Sequence, residues 1–349
     1  MHRTNQLRRS REAARSLAVE RGLEFVYRSA CEPENFQLYG YDYLCCFHCI
    51  ESTSRDINLR RKARRMGRER ASHWRREHAH VTEDLDADEI AILVLGSDSA
   101  DRLGVTDIGF KEKIRAAAAR FNAQDFIGFD ATYEPPPADV PDECACGANN
   151  KRGRKICRRC KRRLIMLSPY AVWVDALVRS YTGERYGVRM GASFTDVIKW
   201  LPAMRPYPTH DDEDNSDFYW ALYAVTHIVY TLNDYSFYRL SPRCLPDEYA
   251  FLKLNLRNFI AMEDPESIGE LLDTLKSFGL SENHPLIREG LDFLLTQQNP
   301  DGSWGDLDAQ DIYKRYHPTW TAIDGLREYA WHGGLRTPQS FRGLLQRAS

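Results

Sequence analysis

The sequence predicts a mainly α-helical protein whose C-terminal half is built from helical hairpins. From residue 168 onward, helical hydrophobic periodicity alternates with turn signals, and strand patterns are nearly absent. Short connections between consecutive helices favour antiparallel pairs. A ring of such pairs is an α/α toroid, and we predict a complete or partial toroid here.

Length and composition place the chain among globular proteins. Its 349 residues are 43% hydrophobic and 11% aromatic, which is enough for a large core. This composition differs from that of intrinsically disordered proteins, which have few apolar and aromatic residues. The net charge of -2 conceals strong segregation, because the blocks 55–76 and 151–163 are basic whereas 211–217 is acidic. No stretch approaches 18 apolar residues, and the N-terminus has no apolar run of signal-peptide type. We therefore expect a cytoplasmic protein that does not associate with membranes.

Three regions are expected along the chain. Residues 1–132 form a basic, mostly helical N-terminal region, 133–165 a proline-rich linker with a cysteine motif, and 166–349 the toroid-like helical domain. The segment 86–104 fits either a buried strand or a helix. Helices are predicted at 5–22, 59–80, 110–122, 168–182, 193–202, 216–235, 246–262, 266–279, 284–298, 317–331 and 337–347.

The clearest motif is CACGANNKRGRKICRRC, which contains four of the nine cysteines. They form two close pairs, Cys144 with Cys146 and Cys157 with Cys160. An odd number of clustered cysteines favours reduced thiols and metal binding over disulfides. Four thiolates complete a tetrahedron around zinc, and Gly147 allows one of the tight turns that such a knuckle needs. We predict a structural Zn2+ with no open coordination position, so this ion is not expected to be catalytic.

A second motif, GLDFLLTQQNPDGSWG at 290–305, resembles the repeat of the prenyltransferase and squalene cyclase superfamily. The residues at the repeat spacing are Gly290, Phe293, Leu294, Gln298, Gly302 and Trp304. Gln298 would bond helix-end backbone and Trp304 would stack over the next helix pair, which ties the loop to the helices. The resemblance implies the α/α-toroid fold for the helical domain.

The same resemblance points to a metal ligand. In the prenyltransferase branch, the helix after this loop begins with a Tyr-His pair whose histidine binds the catalytic zinc. Tyr316 and His317 stand at that point here. The cysteine ligand of that branch has no counterpart in this chain, so further ligands would have to come from elsewhere.

Two similar octapeptides, HIVYTLND and HPTWTAID, supply a candidate second ligand. They place His227 and His317 at equivalent positions, each followed by an aromatic residue, Thr and Asp at the same spacing. Three predicted helices lie between them, so in a toroid both helices run in the same direction on the inner ring. The two histidines could then hold one metal ion, with Asp306 as the first candidate for a further ligand. Such a site suits Zn2+ or Fe2+.

The remaining octapeptide residues are assigned to substrate binding. His and Asp at i and i+7 share a helix face but lie ~10.5 Å apart along the axis. Asp234 and Asp324 would therefore position a polar substrate group, while Tyr230 and Trp320 would wall the cavity. Tyr230 and Tyr316 are further candidate catalytic residues. This interpretation predicts a hydrolytic or oxidative metal-dependent enzyme for a small or medium hydrophobic substrate in an aromatic cavity. A packing pattern repeated by duplication of a helix pair is the alternative explanation.

The sequence CCFHC concentrates Cys45, Cys46, His48 and Cys49 within five residues. Such a group could bind a metal or supply a nucleophile beside a base, which makes it the second candidate site. In a helix Cys45 and Cys49 would share a face, whereas in a strand neighbouring side chains alternate. Buried, unreactive cysteines are the alternative.

Two further function classes stay open. Nine of the thirteen residues 151–163 are Lys or Arg, and 55–76 carries ten more. Both blocks could bind nucleic acid or another acidic partner in a non-catalytic, zinc-stabilised protein, although a solvated face explains the charges without a partner. The run DDEDNSD at 211–217 slightly resembles the aspartate-rich motif of isoprenoid synthases, which would make the protein an isoprenoid-diphosphate-using transferase or cyclase.

Overall fold

The computed structural model describes residues 2–210 and 216–343. Within them it contains α-helices, two short 3-10 helices and no strand, and 61% of the structure is helical, so the predicted mainly α class is confirmed. The α-helices are α1 (His2–Cys31), α2 (Pro33–Thr53), α3 (Ile57–Glu77), α4 (Ala87–Arg102), α5 (Ile108–Ala118), α6 (Ala123–Ile127), α7 (Pro169–Tyr186), α8 (Phe194–Ile198), α9 (Ser216–Asn233), α10 (Pro246–Ala261), α11 (Pro265–Ser277), α12 (Pro285–Thr296) and α13 (Tyr313–Leu326). The 3-10 helices are Leu201–Met204 and Pro338–Phe341.

The chain divides into two compact units. The first comprises Met1–Ala79, Gly96–Asp107 and Leu232–Ser340, and the second comprises His80–Leu95, Ile108–Thr231 and Phe341–Ser349. The division falls inside α4 and α9. The region boundaries expected after residues 132 and 165 both lie within the second unit.

Some predicted segments differ in detail from the structure. The helix expected at 193–202 is shorter, because α8 ends at Ile198 and a 3-10 helix follows. The helix expected at 337–347 begins as a 3-10 helix, and its residues from 344 onward lie outside the described part of the chain. Residues 211–215 of the acidic run lie outside it as well.

The ambiguous segment 86–104 is helical. The backbone N–H of Asp86 donates to Glu89 Oε2 at 2.8 Å, and the backbone N–H of Glu89 donates to Asp86 Oδ1 at 2.9 Å. This reciprocal pair satisfies N–H groups that the start of a helix leaves without partners. The acidic start of the segment therefore specifies helix α4 over a strand.

In the first unit, α11 and α13 form the most closely packed helix pair, and α1 and α2 also pack on α13. Gly269 of α11 allows the close approach, because a Cβ atom built there would lie 2.4 Å from the carbonyl oxygen of Thr321. On α13, Gly325 lies against Gly269. Two glycines thus bring two backbones closer than any larger side chains would permit.

The repeat-like loop at 298–305 ties three helices of the first unit together. Gln298 Nε2 donates to the carbonyl of Ala18 in α1 at 2.8 Å. Trp304 is fully buried, and its Nε1 donates to the carbonyl of Leu294 in α12 at 2.8 Å. Its backbone N–H donates to Thr319 Oγ1 in α13 at 2.9 Å. Gln298 and Trp304 thus connect the loop to neighbouring helices, but Gln298 bonds the interior of α1 and not a helix end.

The second unit has its own packed helices. Trp173 of α7 is fully buried, and its Nε1 donates to the carbonyl of Val197 in α8 at 3.1 Å. Arg179 of α7 pairs with Asp175 at 2.9 Å and with Asp88 at 2.7 Å. A search of the described residues for a helix long and apolar enough to cross a membrane found none.

Candidate metal centre and basic surface

Four cysteine thiols meet in the second unit. Sγ of Cys144 lies 3.4 Å from Sγ of Cys160, and Sγ of Cys146 lies 3.6 Å from Sγ of Cys157. All four sulfur atoms lie within 4.8 Å of one another, as ligands of a single metal ion do. None of the four forms a disulfide. The cysteines predicted to form a metal site are therefore close enough to hold one ion.

A short antiparallel backbone pairing closes the turn around each cysteine pair. Cys144 pairs with Ala148 across a turn in which Gly147 has a φ of 70°. Ile156 pairs with Arg163 across a second turn. Glycine adopts a positive φ without steric cost, which explains its position directly after the first cysteine pair.

Further backbone hydrogen bonds close the segment around a small apolar core. The backbone N–H of Asp142 donates to the carbonyl of Ile165 and that of Leu167 to the carbonyl of Val140, both at 2.9 Å. The buried residues of this core are Cys144, Ala148, Cys157 and Leu164. A core of four residues supplies little burial energy, so the segment depends on another source of stability.

Polar groups surround Sγ of Cys157. The backbone N–H groups of Cys160 and Arg159 lower the pKa of Cys157 to about 5. Asn150 Nδ2 also contacts this sulfur at 3.7 Å, and Asn150 Oδ1 accepts from the backbone N–H of Arg158 at 2.9 Å. These donors favour the thiolate, which is the form that binds metal. Asn150 is not among the residues predicted for this site, although a side-chain amide between two cysteine pairs is a signal for such a role.

Nine cations surround the cysteines, and every one is exposed: Lys151, Arg152, Arg154, Lys155, Arg158, Arg159, Lys161, Arg162 and Arg163. Arg152 pairs with Glu134 at 2.5 Å and with Asp139 at 2.6 Å. Three others donate to nearby carbonyl oxygens, namely Arg154, Arg159 and Lys161. The other five form no ion pair with any described residue: Lys151, Lys155, Arg158, Arg162 and Arg163.

In the first unit, His317 is buried among carboxylates and aromatic rings. Its Nδ1 lies 2.9 Å from Glu266 Oε1 as an ion pair, without full hydrogen-bond geometry. Burial lowers the pKa of His317, but the carboxylates of Glu266 and Asp42 outweigh it and raise the pKa to about 9. The ring stacks on Tyr313 with centroids 4.7 Å apart and meets Trp320 edge-on at 5.7 Å. A protonated histidine has no lone pair for a metal, so this pairing opposes the predicted ligand role.

Tyr316 lies beside this ion pair. Its hydroxyl donates to Asp42 Oδ2 at 2.8 Å. Burial, followed by the charge of Asp42, raises the pKa of Tyr316. Sequence reasoning missed Asp42 and Glu266, because no local pattern links them to a helix some 50 to 270 positions away.

Asp324 belongs to a buried charge network in the same unit. Arg327 Nε donates to Asp324 Oδ1 at 2.6 Å, and Arg327 Nη1 donates to Ser54 Oγ at 3.1 Å. Nearby, burial raises the pKa of Asp273 to about 7 and lowers the pKa of Lys276 to about 8. The network joins α13 to the end of α2 and to α11, which is a structural role for Asp324.

The remaining octapeptide residues lie in separate surroundings. Asp234 follows the end of α9 with a φ of 54° and lies 3.8 Å from Arg102 Nη2 in the first unit. His227 and Tyr230 belong to the second unit, where their rings meet edge-on at 5.4 Å. His227 Nδ1 lies 2.8 Å from the carbonyl oxygen of Tyr223 one turn earlier.

The predicted ligands of the second metal site do not form a metal-spaced group among the described residues. Among the described residues, the four-cysteine set is the only group of three or more His, Cys, Asp or Glu side chains spaced to hold an ion. His227 and His317 fall in different compact units. Asp306 is exposed, and its Oδ1 accepts from the backbone N–H of Asp308 at 2.9 Å.

A cleft of about 300 Å³ opens in the first unit, and its lining differs from the aromatic cavity predicted for a hydrophobic substrate. It contains no aromatic side chain and none of the predicted catalytic residues. Its charged lining residues are Arg15, Glu20, Asp56, Arg327 and Glu328.

The CCFHC group lies in helix α2. Sγ of Cys45 and Cys49 lie 3.9 Å apart, one helical turn from each other. Burial raises the pKa of Cys46, and the hydrogen bond between the Cys49 and Cys45 thiols, together with burial, raises the pKa of Cys49. His48 is buried and its Nε2 lies 3.5 Å from Arg102 Nη1. Cys46 and Cys49 are thus held as thiols, which are poor nucleophiles.

Comparison with known proteins identified no detectable relative of this chain. No protein-family model matches the chain, and neither a curated protein nor a solved structure is detectably similar to it.

Proposed function

We propose that this protein binds nucleic acid through a zinc-stabilised basic knuckle at residues 140–167. The observation that carries the proposal is the exposed cation cluster built around the four-cysteine group, where eight of the nine cations have no acidic partner among the described residues. The knuckle fixes these cations in space, and a phosphate backbone supplies the opposing charges.

The ion that fits this group is Zn2+. Tetrahedral zinc with Zn–S bonds of about 2.3 Å requires sulfur atoms roughly 3.8 Å apart. The observed separations of 3.4 and 3.6 Å lie near this value. Four thiolates leave no open coordination position, so the ion acts structurally and substitutes for the core that the segment lacks.

The composition of the surface favours nucleic acid over an acidic protein. Six of the nine cations are arginines, whose planar guanidinium groups bind phosphate with two hydrogen bonds. Apolar side chains are exposed beside them: Ile156 is 55% exposed and Ile165 75%. Exposed apolar groups within a cationic surface can contact bases while the cations hold the backbone.

The metal-dependent enzyme with His227 and His317 as ligands has less support. His317 faces Glu266 at 2.9 Å as a charged pair, and no second metal-spaced group occurs among the described residues. The α/α-toroid arrangement of α10–α13 likewise remains a proposal. Its support is the repeat-like loop, in which Gln298 and Trp304 tie neighbouring helices.

The test measures affinity for nucleic acid as a function of salt. Fluorescence anisotropy with labelled single-stranded RNA, single-stranded DNA and duplex DNA would be recorded between about 50 and 250 mM salt, over which phosphate contacts weaken strongly. The combined variant Arg158→Gln, Arg162→Gln and Arg163→Gln should lower affinity. It should also reduce the slope of log K against log salt by about two to three, since each lost phosphate contact removes about 0.7 to 0.9.

A matched control removes three exposed arginines that already have carboxylate partners. Arg11, Arg115 and Arg257 pair with Asp292, Glu112 and Glu289 at 2.8, 2.6 and 2.8 Å. Their triple Gln variant should keep the wild-type slope. If both triple variants lost the same affinity, the loss would be an effect of net charge and not of the knuckle. Absence of binding by the wild type at the lowest salt would contradict the proposed function.

A further inference from the structure

Helix α3 in the first unit carries nine cations, of which four have partners within the unit, one makes a distant contact and four form no ion pair with a described residue. Four point toward neighbouring parts of the unit and have partners: Arg60, Lys62, Arg70 and Arg75. For example, Lys62 lies 2.6 Å from Glu24, and Arg75 lies 2.7 Å from Asp101. Arg64 makes only a distant contact with Glu51, at 3.9 Å. The four partnered cations are therefore engaged within the unit, two by carboxylates and two by backbone carbonyl oxygens.

The other four cations form one outward stripe, consisting of Arg61, Arg65, Arg68 and Arg76. Each is exposed, and none forms an ion pair with a described residue. At 3.6 residues per turn, they lie within an arc of about 80° and span about 22 Å along the axis. The arc lies opposite the buried residues of α3, which are Ala63, Met66, Gly67, Ala71 and Trp74. We call these four arginines the α3 stripe.

The stripe is not the surface that helix stability alone would favour. Like charges at i and i+4, such as Arg61 and Arg65, destabilise a helix by about 0.2–0.5 kcal/mol per pair. A face exposed only to solvent usually mixes acidic and basic residues, which turns this repulsion into attraction. Both acidic residues of α3 already have partners. Glu69 is engaged by the Tyr27 hydroxyl at 2.5 Å and by Arg70 at 3.4 Å, and Glu77 lies 2.8 Å from His73.

We propose that the α3 stripe is a second binding surface for the phosphate backbone of nucleic acid. The proposal deepens the proposed function and rests on it for the class of partner, but it concerns different residues on a different compact unit. Successive stripe residues rise by about 6 Å, 4.5 Å and 12 Å along the helix, so the guanidinium groups form a line that can follow one strand. Phosphate is the anion whose geometry arginine matches best.

An anionic membrane fits the stripe less well. Peripheral membrane helices combine cations with a broad apolar face that enters the lipid. Between Arg61 and Arg76, the outward arc contains Ser72 and no exposed apolar residue. Binding to a bilayer is therefore an outcome to be tested against nucleic acid.

The test neutralises the stripe in the full-length protein. The variant with Arg61, Arg65, Arg68 and Arg76 changed to Gln should bind the same single-stranded RNA more weakly and lose about three from the salt slope, at about 0.7 for each phosphate contact on a single strand. The matched control changes the same four arginines to Lys. This control keeps all four charges, so its slope should remain near that of the wild type while affinity falls modestly.

Loss of fold is excluded within the same experiment. Removing Arg61, Arg65 and Arg68 relieves repulsion, whereas removing Arg76 takes a favourable cation from the last turn of α3, so the Gln variant should melt near the wild-type temperature. A clear fall in melting temperature would contradict the assignment of the stripe as structurally dispensable.

The two proposals fail in distinguishable ways. A wild-type slope in the stripe variant, beside a reduced slope in the Arg158, Arg162 and Arg163 variant, overturns the stripe and leaves the knuckle. The reverse pattern overturns the knuckle as the binding site and supports the stripe. Loss of binding to anionic vesicles in the stripe variant, with RNA binding unchanged, would assign the stripe to lipid and overturn our proposal.

Discussion

His317 shows how one buried residue makes stability depend on pH. Its pKa is about 9 in the folded protein, against 6.5 for an ordinary histidine, because Glu266 and Asp42 outweigh the effect of burial. Its contribution to the free energy of unfolding is therefore complete below pH 6.5 and is lost as pH rises through 9. The contribution is on the order of 3 kcal/mol, at about 1.4 kcal/mol for each pKa unit.

The measurement compares unfolding free energies of the wild type and His317→Gln by denaturant titration between pH 6 and 10. The difference between them should be largest near pH 6 and should shrink toward pH 10. Taking the difference removes the effects of other buried groups, such as Lys276, whose pKa of about 8 lies in the same range. A difference that does not change with pH would show that His317 is neutral and that the ion pair with Glu266 does not form.

These contacts were predictable from the sequence only where the two residues lie close together along the chain. Tyr316 and His317 were singled out from the repeat resemblance, and the structure buries both. The Asp42 carboxylate that accepts from Tyr316 lies 274 positions earlier, and no local periodicity connects the two. The sequence therefore indicated which side chains were unusual, whereas their partners depended on tertiary packing.

At the level of helices, the contact between α11 and α13 depends on missing side chains. Adding a Cβ at Gly269 would place it 2.4 Å from the carbonyl oxygen of Thr321, which real contacts do not reach. Gly269→Ala should therefore lower the free energy of unfolding by about 1–3 kcal/mol, the usual range for overpacking. Chemical denaturation measures this change.

Gly334→Ala is the matched control. A Cβ at Gly334 meets nothing within 4 Å, so this variant should have wild-type stability. Ala has a higher helix propensity than Gly by about 1 kcal/mol, a gain that offsets only a small clash. Equal stability of Gly269→Ala and Gly334→Ala would therefore show that the two helices do not cross as closely as described.

The helices themselves were largely predictable, because their signals are local. α7, α10, α11 and α12 each begin at a proline, which fits the first turn of a helix. The extent of their hydrophobic periodicity also predicted approximately where each of these helices begins and ends. The placement of α9 and α13 was not predictable from the octapeptide repeat. Sequence periodicity shows which residues share one face of a helix, but it does not show which other helix packs against that face. His227 and His317 accordingly lie in different compact units.

Across the whole molecule, the two units should respond differently to loss of metal. The knuckle at 140–167 has a small apolar core, so its backbone hydrogen bonds should depend on the bound ion. Hydrogen exchange after chelation should show lost protection at Cys157 and Leu164, which donate to Arg162 and Lys155 at 2.8 and 3.0 Å. Amides of α11 and α13 should stay protected, because their helices are buried in the core of the first unit.

Cysteine variants provide the same test without a chelator. Cys157→Ser should lose the metal, counted by elemental analysis, and should show the exchange pattern of the chelated protein. The control Cys31→Ser removes an exposed thiol outside the cluster and should retain one metal ion per chain. One ion lost with Cys157, beside unchanged protection of α13, would establish the knuckle as a separately stabilised element. Metal retained by Cys157→Ser would contradict the four-thiolate site, and loss of protection throughout both units would show that the ion supports the entire fold.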